Sequence, residues 1–558
     1  MTTTKLWSTL LLAGLVHLSW QNEEVPKVNT PLGSVTGYYK ESWHGKRYEA
    51  YEGIPYAQSP VGKLRFEPPK PAKKWEEELL ATKKNSICQQ YLPHHFVKNG
   101  ERVVGSEDCL YLNVYVPIGN RDPVPVMVWV AGGAFQFGSG NKIEEKLLMD
   151  RNIILVTFNY RLGPFGFLST EDSVVPGNMG LKDQSMALRW VSDNIRSFGG
   201  DPKNITIFGA SAGGTSVHYH YLSPLSAGLF QRGISISGVT LLPSAIVNRA
   251  LEKSKRLAEL VECPTSNVTA MVSCLKTRPA RRLYEVLGQF LVWMDNPAVL
   301  FGPVIEKHGP NPFISRSPLE IISNGEAYDV PWITGVTSEE GLLPTASFIL
   351  KHDLLKELND NWVDLAPHLL GYNDTIPVSQ HRNVGEKIRK HYLGTSEITN
   401  NSLTPLSRLN GDRVFVFGLE KAARLQAKAN KSPIWTYYYS YKSTHSFSEV
   451  LSNSTTNFGV CHCDDILSII DQMISNTTKP MDIQMQEMLL DFYTSFAIQG
   501  EPRIGDAEWT VLNPDEEQFR YLHIASPKNI SMSGDYNFAE KSFWNTIDFM
   551  ENKYGLEE

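Results

Sequence analysis

A serine among small residues is the part of the chain best suited to covalent chemistry. Ser211 lies at the centre of Phe208–Gly214 (FGASAGG), directly after the apolar run Ile205–Phe208. A strand that turns sharply into a helix holds its turn residue in strained geometry, and only glycine or alanine fits beside that residue. The strain lifts the serine hydroxyl clear of the sheet, where a base and a substrate can reach it. The pattern predicts a nucleophile elbow with Ser211 as the nucleophile.

A second small-residue segment, Ala131–Phe135, follows the apolar run Val124–Val130. Acyl transfer needs such a loop, because the tetrahedral intermediate carries negative charge on the former carbonyl oxygen and backbone N–H groups must face it. Removing one such donor costs about 3 kcal/mol in comparable enzymes. The elbow supplies a further N–H from Ala212, the residue after the nucleophile. A Gly-Gly pair after a strand is more often an ordinary turn, but the elbow favours an oxyanion hole here.

The elements that must position these groups are predicted to form a mainly parallel sheet flanked by helices, an α/β fold. Apolar runs typical of buried strands alternate with helical patterns between residues 110 and 240. Strands are predicted at Leu110–Val116, Val124–Val130, Ile153–Asn159, Ile205–Phe208, Pro331–Gly335 and Ile434–Tyr439. Helices are expected around Leu181–Ile195, at Ser216–Leu222 and at Met485–Ile498. The charged segment 342–430 predicts only helices and loops.

Length and composition favour one large domain. The 558 residues are 42% hydrophobic, and the 41 glycines and 33 prolines are spread along a chain without repeats or low-complexity tracts. A net charge of −7 gives no basic stripe that could neutralise phosphates, so no nucleic-acid partner is expected. We expect residues 21–558 to form a single domain.

The N-terminus has the pattern of an export signal. Lys5 precedes the apolar stretch Leu6–Leu18, and polar residues follow from Gln21. The pattern predicts a signal peptide over residues 1–20 and a secreted, extracellular product, with a buried N-terminal helix as the alternative. No other segment offers 18 unbroken apolar residues, and the C-terminus carries no anchor or retention signal, so no membrane anchor is expected.

Glycosylation sequons and cysteines agree with export. Sequons occur at Asn204, Asn267, Asn373, Asn400, Asn430, Asn453, Asn476 and Asn529. Cys88 with Cys109, and Cys263 with Cys274, are plausible loop-closing disulfides. Cys461 and Cys463 flank His462 and are predicted to be free or strained thiols. A zinc site there is the weaker alternative, because further ligands are lacking nearby.

Several motifs together resemble those of the type-B carboxylesterases, the carboxylesterase and cholinesterase branch of the α/β hydrolases. The motifs are Glu107–Asn113, Phe208–Gly214, Asn159–Gly163 and Phe198–Pro202. The resemblance extends from about Pro31 to the C-terminus. Within the family, the chain is similar in character to secreted insect esterases such as venom carboxylesterases. It implies an α/β-hydrolase fold with a large, mostly parallel sheet.

The resemblance also assigns roles to individual residues. It makes Ser211 the nucleophile, Glu340 the acid and His462 the base, in the chain order of α/β hydrolases. Glu339 is the competing acid. The oxyanion donors implied are the N–H groups of Gly133, Ala134 and Ala212, and no cofactor or metal is required.

Supporting residues follow from the same resemblance. Arg65 resembles the ion-pair partner of Glu107, Ser237 resembles a serine next to the triad, and the two predicted disulfides fit the first two of the family. His218 and His220, just past the elbow, are expected to be packing residues. Because the base must be neutral, activity is expected to fall as the pH drops through about 6 to 7.

Departures from the family pattern narrow the substrate class. Cholinesterases have Glu before the serine and a tryptophan in the first disulfide loop, where this chain has Ala210 and no tryptophan between Cys88 and Cys109. The expected function is hydrolysis of broad, rather apolar carboxylesters through an acyl-enzyme intermediate, by a monomer or homodimer. A specialised juvenile-hormone or pheromone esterase is one alternative. A catalytically silent, neuroligin-like binding protein is another. Such relatives usually lack a member of the triad, whereas Ser211, Glu340 and His462 are all present here.

Overall fold

An eleven-stranded sheet forms the centre of the computed structural model, which describes residues 25–97, 99–119, 122–350 and 353–553. We number its strands β1–β11 in chain order. They span Tyr38–Glu41, Arg47–Pro55, Tyr111–Pro117, Val124–Val130, Ile154–Phe158, Gly200–Ala210, Arg232–Ile236, Trp332–Thr337, Ile434–Tyr439, Phe519–Ser526 and Asn529–Asp535. Two smaller sheets are built from Lys27–Thr30, Gly33–Thr36 and Leu79–Leu80, and from Gln90–Tyr91 and Val103–Val104.

The sheet is parallel in its middle and antiparallel at both edges. Its strand order is β11-β10-β9-β8-β7-β6-β4-β5-β3-β2-β1. Neighbours from β10 to β5 run parallel, whereas the remaining pairs run antiparallel. The carboxyl ends of β4, β6, β7 and β8 therefore meet at one edge, which is where open α/β sheets bind ligands. The predicted mostly parallel sheet is confirmed.

Helices connect the strands and fill most of the segment 342–430. The longer ones, of eight residues or more, span Met179–Asn194, Ala212–Leu222, Ala250–Leu260, Val268–Thr277, Trp362–Leu369, His381–Tyr392, Leu403–Gly411, Phe417–Ala429 and Pro480–Gln499. Shorter ones span Gly163–Phe167, Ala280–Glu285, Pro318–Ser323, Leu342–Thr345, Leu354–Asp360, Phe447–Ser452, Asp464–Ile470, Gln472–Ser475 and Lys541–Trp544. A π-helical turn, Asp412–Val416, joins two of the longer helices.

Several elements extend beyond their predicted bounds, and two of them begin five residues early. Strand β6 begins at Gly200, five residues before the apolar run, because Gly200 already pairs with Val124 across a register irregularity. The half-exposed and exposed residues of 201–204 carry no hydrophobic signal. The helix predicted at Met485–Ile498 begins at Pro480, since proline is favoured in the first helical turn.

Both predicted disulfides are present, Cys88–Cys109 and Cys263–Cys274, whereas Cys461 and Cys463 are free and buried. All eight sequon asparagines are exposed or half-buried. Within the described residues, no helix combines the length and hydrophobicity needed to cross a membrane. The predicted signal peptide, residues 1–20, lies outside the described residues.

Candidate active site

Ser211 occupies a strained turn between β6 and the helix Ala212–Leu222. Its φ of 59° and ψ of −125° lie outside the regions where a serine is normally found. The turn is held by backbone hydrogen bonds, because the Ser211 N–H donates to the Ile236 carbonyl at 2.8 Å and the Ser211 carbonyl accepts from Thr215 at 2.9 Å. This is the geometry expected of a nucleophile elbow.

The glycines around the elbow are required by close backbone packing. A Cβ on Gly213 would lie 2.1 Å from the Val130 carbonyl oxygen, and one on Gly238 would lie 2.0 Å from the Ser211 carbonyl oxygen. Neither position tolerates any side chain without a shift of the backbone. The elbow is therefore packed directly against the ends of β4 and β7.

The loop Ala131–Phe135 lies against the elbow. A Cβ on Gly132 would be 2.4 Å from the Ala210 carbonyl oxygen and 3.3 Å from Ser211 Cβ. Gly133, Ala134 and Phe135 all have positive φ, at 114°, 51° and 60°. Among the described residues no hydrogen bond uses the N–H of Gly133 or of Ala134. Ala212 begins its helix, so its N–H has no partner within that helix. The three predicted oxyanion donors thus lie on segments in contact.

Glu340 follows β8 and is almost fully buried. Its Oε2 lies 2.5 Å from Nδ1 of His462. Its Oε1 accepts the Thr337 N–H at 2.7 Å and the Ser237 hydroxyl at 2.5 Å. Three hydrogen bonds therefore fix this carboxylate toward the imidazole, and Ser237 has the supporting position that the resemblance implied.

Glu339, the competing acid, has a different set of contacts. Its Oε2 accepts the Val460 N–H at 2.8 Å and the Ser338 hydroxyl at 2.7 Å, and its own N–H donates to the Val460 carbonyl. These bonds tie the segment before His462 to the segment after β8. The structure thus places Glu340, and not Glu339, on the imidazole.

His462 lies on a tightly held turn before the helix Asp464–Ile470. Asp464 accepts the N–H of Cys461 and of Phe447, each at 2.8 Å, and burial raises the pKa of Asp464 to about 8. The imidazole packs on the Phe415 ring at 4.3 Å between ring centres. Phe415 belongs to the π-helical turn, a distortion frequent at functional sites. Sequence reasoning missed the roles of Asp464 and Phe415.

Ser211 and His462 are brought to the same edge of the sheet without a direct hydrogen bond. His462 Nε2 is buried and has no hydrogen-bond partner among the described residues, and the Ser211 hydroxyl has none either. A chain of contacts joins the two residues, since Ser211 bonds to Ile236, and the next residue, Ser237, bonds to Glu340. Catalytic hydrogen bonds are often long in enzymes without substrate and tighten when it binds.

Aromatic side chains pack together beside the oxyanion loop, where the Phe137 ring lies against Gly133. The Phe96 ring lies 5.5 Å from the Phe137 ring, which follows the oxyanion loop, and 6.1 Å from the Phe447 ring. Phe447 is held by Asp464, as described above. These three rings form an apolar wall.

The remaining sequence expectations concern packing. Arg65 forms two hydrogen bonds of 2.6 Å to the Glu107 carboxylate, so the expected ion pair is present. His218 and His220 are fully buried, and burial lowers their pKa values to about 4 and about 3. Both are therefore neutral packing residues. The thiols of Cys461 and Cys463 have pKa values raised by burial, so neither is a reactive thiolate.

The sequence is similar to known proteins over nearly its whole length. The model of the carboxylesterase family matches residues 24–544. The chain belongs to the carboxylesterase family. It is 59% identical over 552 residues to a carboxylic ester hydrolase of Bombus ignitus and to venom carboxylesterase-6 of Apis mellifera, with 98% of this chain and 99% of each relative covered.

Solved structures agree with this placement. The juvenile hormone esterase of Manduca sexta, with OTFP covalently attached, matches with a TM-score of 0.82 and 27% identity, over 94% of this chain and 99% of that one. These comparisons confirm three predictions: the family resemblance of the motifs, the α/β-hydrolase fold and the carboxylesterase class of enzyme.

Proposed function

We propose that this carboxylesterase hydrolyses esters through a triad of Ser211, His462 and Glu340. The main support for this proposal is the environment of the two His462 nitrogens. Its Nδ1 is held by a carboxylate that makes two further hydrogen bonds, while its Nε2 is buried and unpartnered among the described residues. A buried polar atom without a partner is costly, and a serine hydroxyl in a bound complex would satisfy it.

The chemistry follows from these positions. Neutral His462 removes the proton from the Ser211 hydroxyl as its oxygen attacks the ester carbonyl, and Glu340 fixes the tautomer and stabilises the imidazolium. The N–H groups of Gly133, Ala134 and Ala212 bind the oxyanion. The imidazolium then protonates the leaving alcohol, and a water molecule, activated in the same way, releases the acid.

The substrates we propose are neutral, rather apolar carboxylesters. Support comes from the wall of Phe96, Phe137 and Phe447, and from Ala210, which places no charge before the nucleophile. Two relatives at 59% identity are named a carboxylic ester hydrolase and a venom carboxylesterase, whereas a juvenile hormone esterase of Tribolium castaneum is 36% identical. Both comparisons favour general esters over one hormone.

We also propose that the protein is secreted and glycosylated. The apolar stretch after Lys5, the two disulfides and the accessible sequons support export. Expression in insect cells tests this: the protein should appear in the medium, starting after about residue 20. Its mass should fall on enzymatic deglycosylation.

Hydrolysis of an ester panel by the secreted protein tests the activity. The panel contains short and medium acyl esters of an uncharged alcohol, a choline ester and a juvenile-hormone-like methyl ester, each with wild type and Ser211→Ala. We expect turnover of the uncharged esters by wild type alone, with little choline ester cleaved. Equal turnover by Ser211→Ala, or none by wild type, would contradict the proposal, and a methyl ester cleaved far better than the rest would favour the hormone-esterase alternative.

A further inference from the structure

The side chain of Asp464 joins the turn that carries the proposed base to the apolar wall. Asp464 lies at the start of the helix Asp464–Ile470 and is 4% exposed. Its Oδ2 accepts the Cys461 N–H and its Oδ1 accepts the Phe447 N–H, each at 2.8 Å. Both oxygens are therefore used to hold backbone groups from two different segments of the chain.

The bond to Cys461 closes the turn around His462. The Asp464 N–H donates to the Cys461 carbonyl at 3.0 Å, while the Cys461 N–H donates to the Asp464 side chain. His462 and Cys463 are the two central residues of this turn, and Cys463 has a φ of 65°, in the left-handed region that favours glycine. Another residue keeps that conformation only where the surrounding contacts enforce it. The bonds of Asp464 therefore help to fix the direction of the His462 side chain.

The bond to Phe447 fixes one end of the apolar wall. Phe447 is the first residue of the helix Phe447–Ser452, so its N–H has no partner within that helix. Asp464 supplies the partner, and the Phe447 ring lies 6.1 Å from the Phe96 ring in a stacked orientation. Phe96 in turn contacts Phe137 beside the oxyanion loop. Loss of the bond from Asp464 would leave the Phe447 ring free to move relative to that loop.

We propose that Asp464 is a positioning residue that sets both the direction of His462 and the place of the Phe447 ring, and so the preference for bulky apolar esters. The inference rests on the proposed triad, because Asp464 acts through the two groups that it holds and not by contact with the reacting atoms. Since one side chain holds both groups, its loss should lower the rate per active site and the preference for bulky esters together. A merely structural residue would change the amount of folded enzyme and leave both quantities unchanged.

Asp464→Asn separates these two possibilities. Asparagine has the shape of aspartate but only one acceptor oxygen, and its NH₂ group would face a backbone N–H, so one of the two bonds must break. Displacement of a catalytic group by about 1 Å can cost about 100-fold in rate, so kcat per active site should fall by about tenfold or more. The preference for bulky esters should fall by about threefold or more, because even one methylene of contact in an apolar pocket is worth about tenfold.

Steady-state kinetics on three esters measure both quantities. Ethyl acetate is the small reference, whereas naphthyl acetate and ethyl naphthoate carry the bulky group on the alcohol side and the acyl side. The preference is the ratio of kcat/KM for a bulky ester to kcat/KM for ethyl acetate, and it should fall for at least one of the two. Titration of active sites with a fluorophosphonate converts each rate to a value per competent site, so that a loss of folded protein does not lower it.

Asp329→Asn is the matched control. Asp329 also accepts backbone N–H groups, those of Lys431 and Ser432, but before β8 and β9, at the opposite edge of the sheet from Ser211. This variant should leave kcat per active site and both ratios unchanged. Phe447→Leu keeps the backbone bond to Asp464 and removes the ring, so it should lower the preference with a smaller loss of kcat than Asp464→Asn.

Three results would overturn the inference while leaving the triad in place. They are a kcat per active site in Asp464→Asn within about threefold of wild type, unchanged ratios for both bulky esters, and equal changes in Asp329→Asn. Wild type without turnover or labelling would instead contradict the proposed triad, and this inference with it. If Asp464→Asn does not fold, Asp464→Glu decides, because it keeps both acceptors and moves them by one methylene. Its kcat and its ratios should fall in the same direction, and wild-type values for both would overturn the inference.

Discussion

Replacing Glu340 by glutamine should remove most of the proposed catalysis while leaving the fold intact. The carboxylate Oε2 lies 2.5 Å from His462 Nδ1 in a nearly fully buried site. Glutamine has the same shape, and its oxygen can still accept from Thr337 and Ser237. Its amide then faces Nδ1 with a donor, which favours the wrong imidazole tautomer, and it offers no charge to the imidazolium.

The size of the expected fall in kcat follows from the lost interaction between the Glu340 carboxylate and the imidazolium. Two unit charges about 4 Å apart interact by about 4 kcal/mol at an effective dielectric constant of about 20. Each 1.36 kcal/mol is about tenfold in rate, so kcat should fall by about a thousandfold. KM should change little, because Glu340 contacts the imidazole and not the substrate.

The adjacent carboxylate provides the matched control. Glu339→Gln keeps an oxygen acceptor for the Val460 N–H, so its kcat should stay within about threefold of wild type. Steady-state kinetics on one chromogenic ester, with unfolding temperatures for all three proteins, make the comparison. An equal loss in both variants, or a loss below tenfold in Glu340→Gln, would show that the charge of Glu340 does not assist His462.

Two other substitutions test the oxyanion loop and the burial of the Asp412 carboxyl. Gly133→Ala places a Cβ 2.0 Å from the Phe137 carbonyl oxygen at a φ of 114°. It should displace an oxyanion donor and lower kcat by about 100-fold or more. The control, Gly199→Ala, adds its Cβ to open space at a φ of 82° and should leave kcat unchanged. Equal kcat values in the two variants would contradict the role of the Gly133 N–H. Burial raises the pKa of Asp412 to about 7 from about 3.9 when unfolded, so its contribution to stability is present below about pH 4 and lost as the pH rises to about 7. Between about pH 5 and 8, urea unfolding should show wild type losing more stability than Asp412→Asn, by about 3 kcal/mol, because about two pH units separate pH 5 from the folded-state pKa and each is worth about 1.36 kcal/mol. Equal losses in the two proteins would contradict the raised pKa.

Local patterns predicted the parts of the site that are built locally. The small residues around Ser211 and in the loop after β4 were enough to predict the sharp turn and the adjoining loop. Close backbone packing there excludes larger side chains, so the sequence itself carries the signal. The strand bounds match their predictions at Val124–Val130 and Ile434–Tyr439, where a proline stands directly before each apolar run.

Contacts between distant segments could not be predicted from spacing. Glu340 and His462 lie 122 residues apart, and only the family resemblance paired them. Phe415 reaches His462 through a π-helical turn that has no signature in hydrophobic periodicity. The choice between Glu339 and Glu340 likewise depends on side-chain direction, which neighbouring carboxylates in a sequence do not reveal.

Covalent labelling shows directly whether Ser211 is the nucleophile. Wild-type protein and Ser211→Ala are incubated with a fluorophosphonate, digested and analysed by peptide mass spectrometry. We expect one adduct, on Ser211, with loss of ester turnover in proportion to labelling and no adduct in Ser211→Ala. An adduct on another residue, or ester turnover that persists with Ser211 fully labelled, would contradict it.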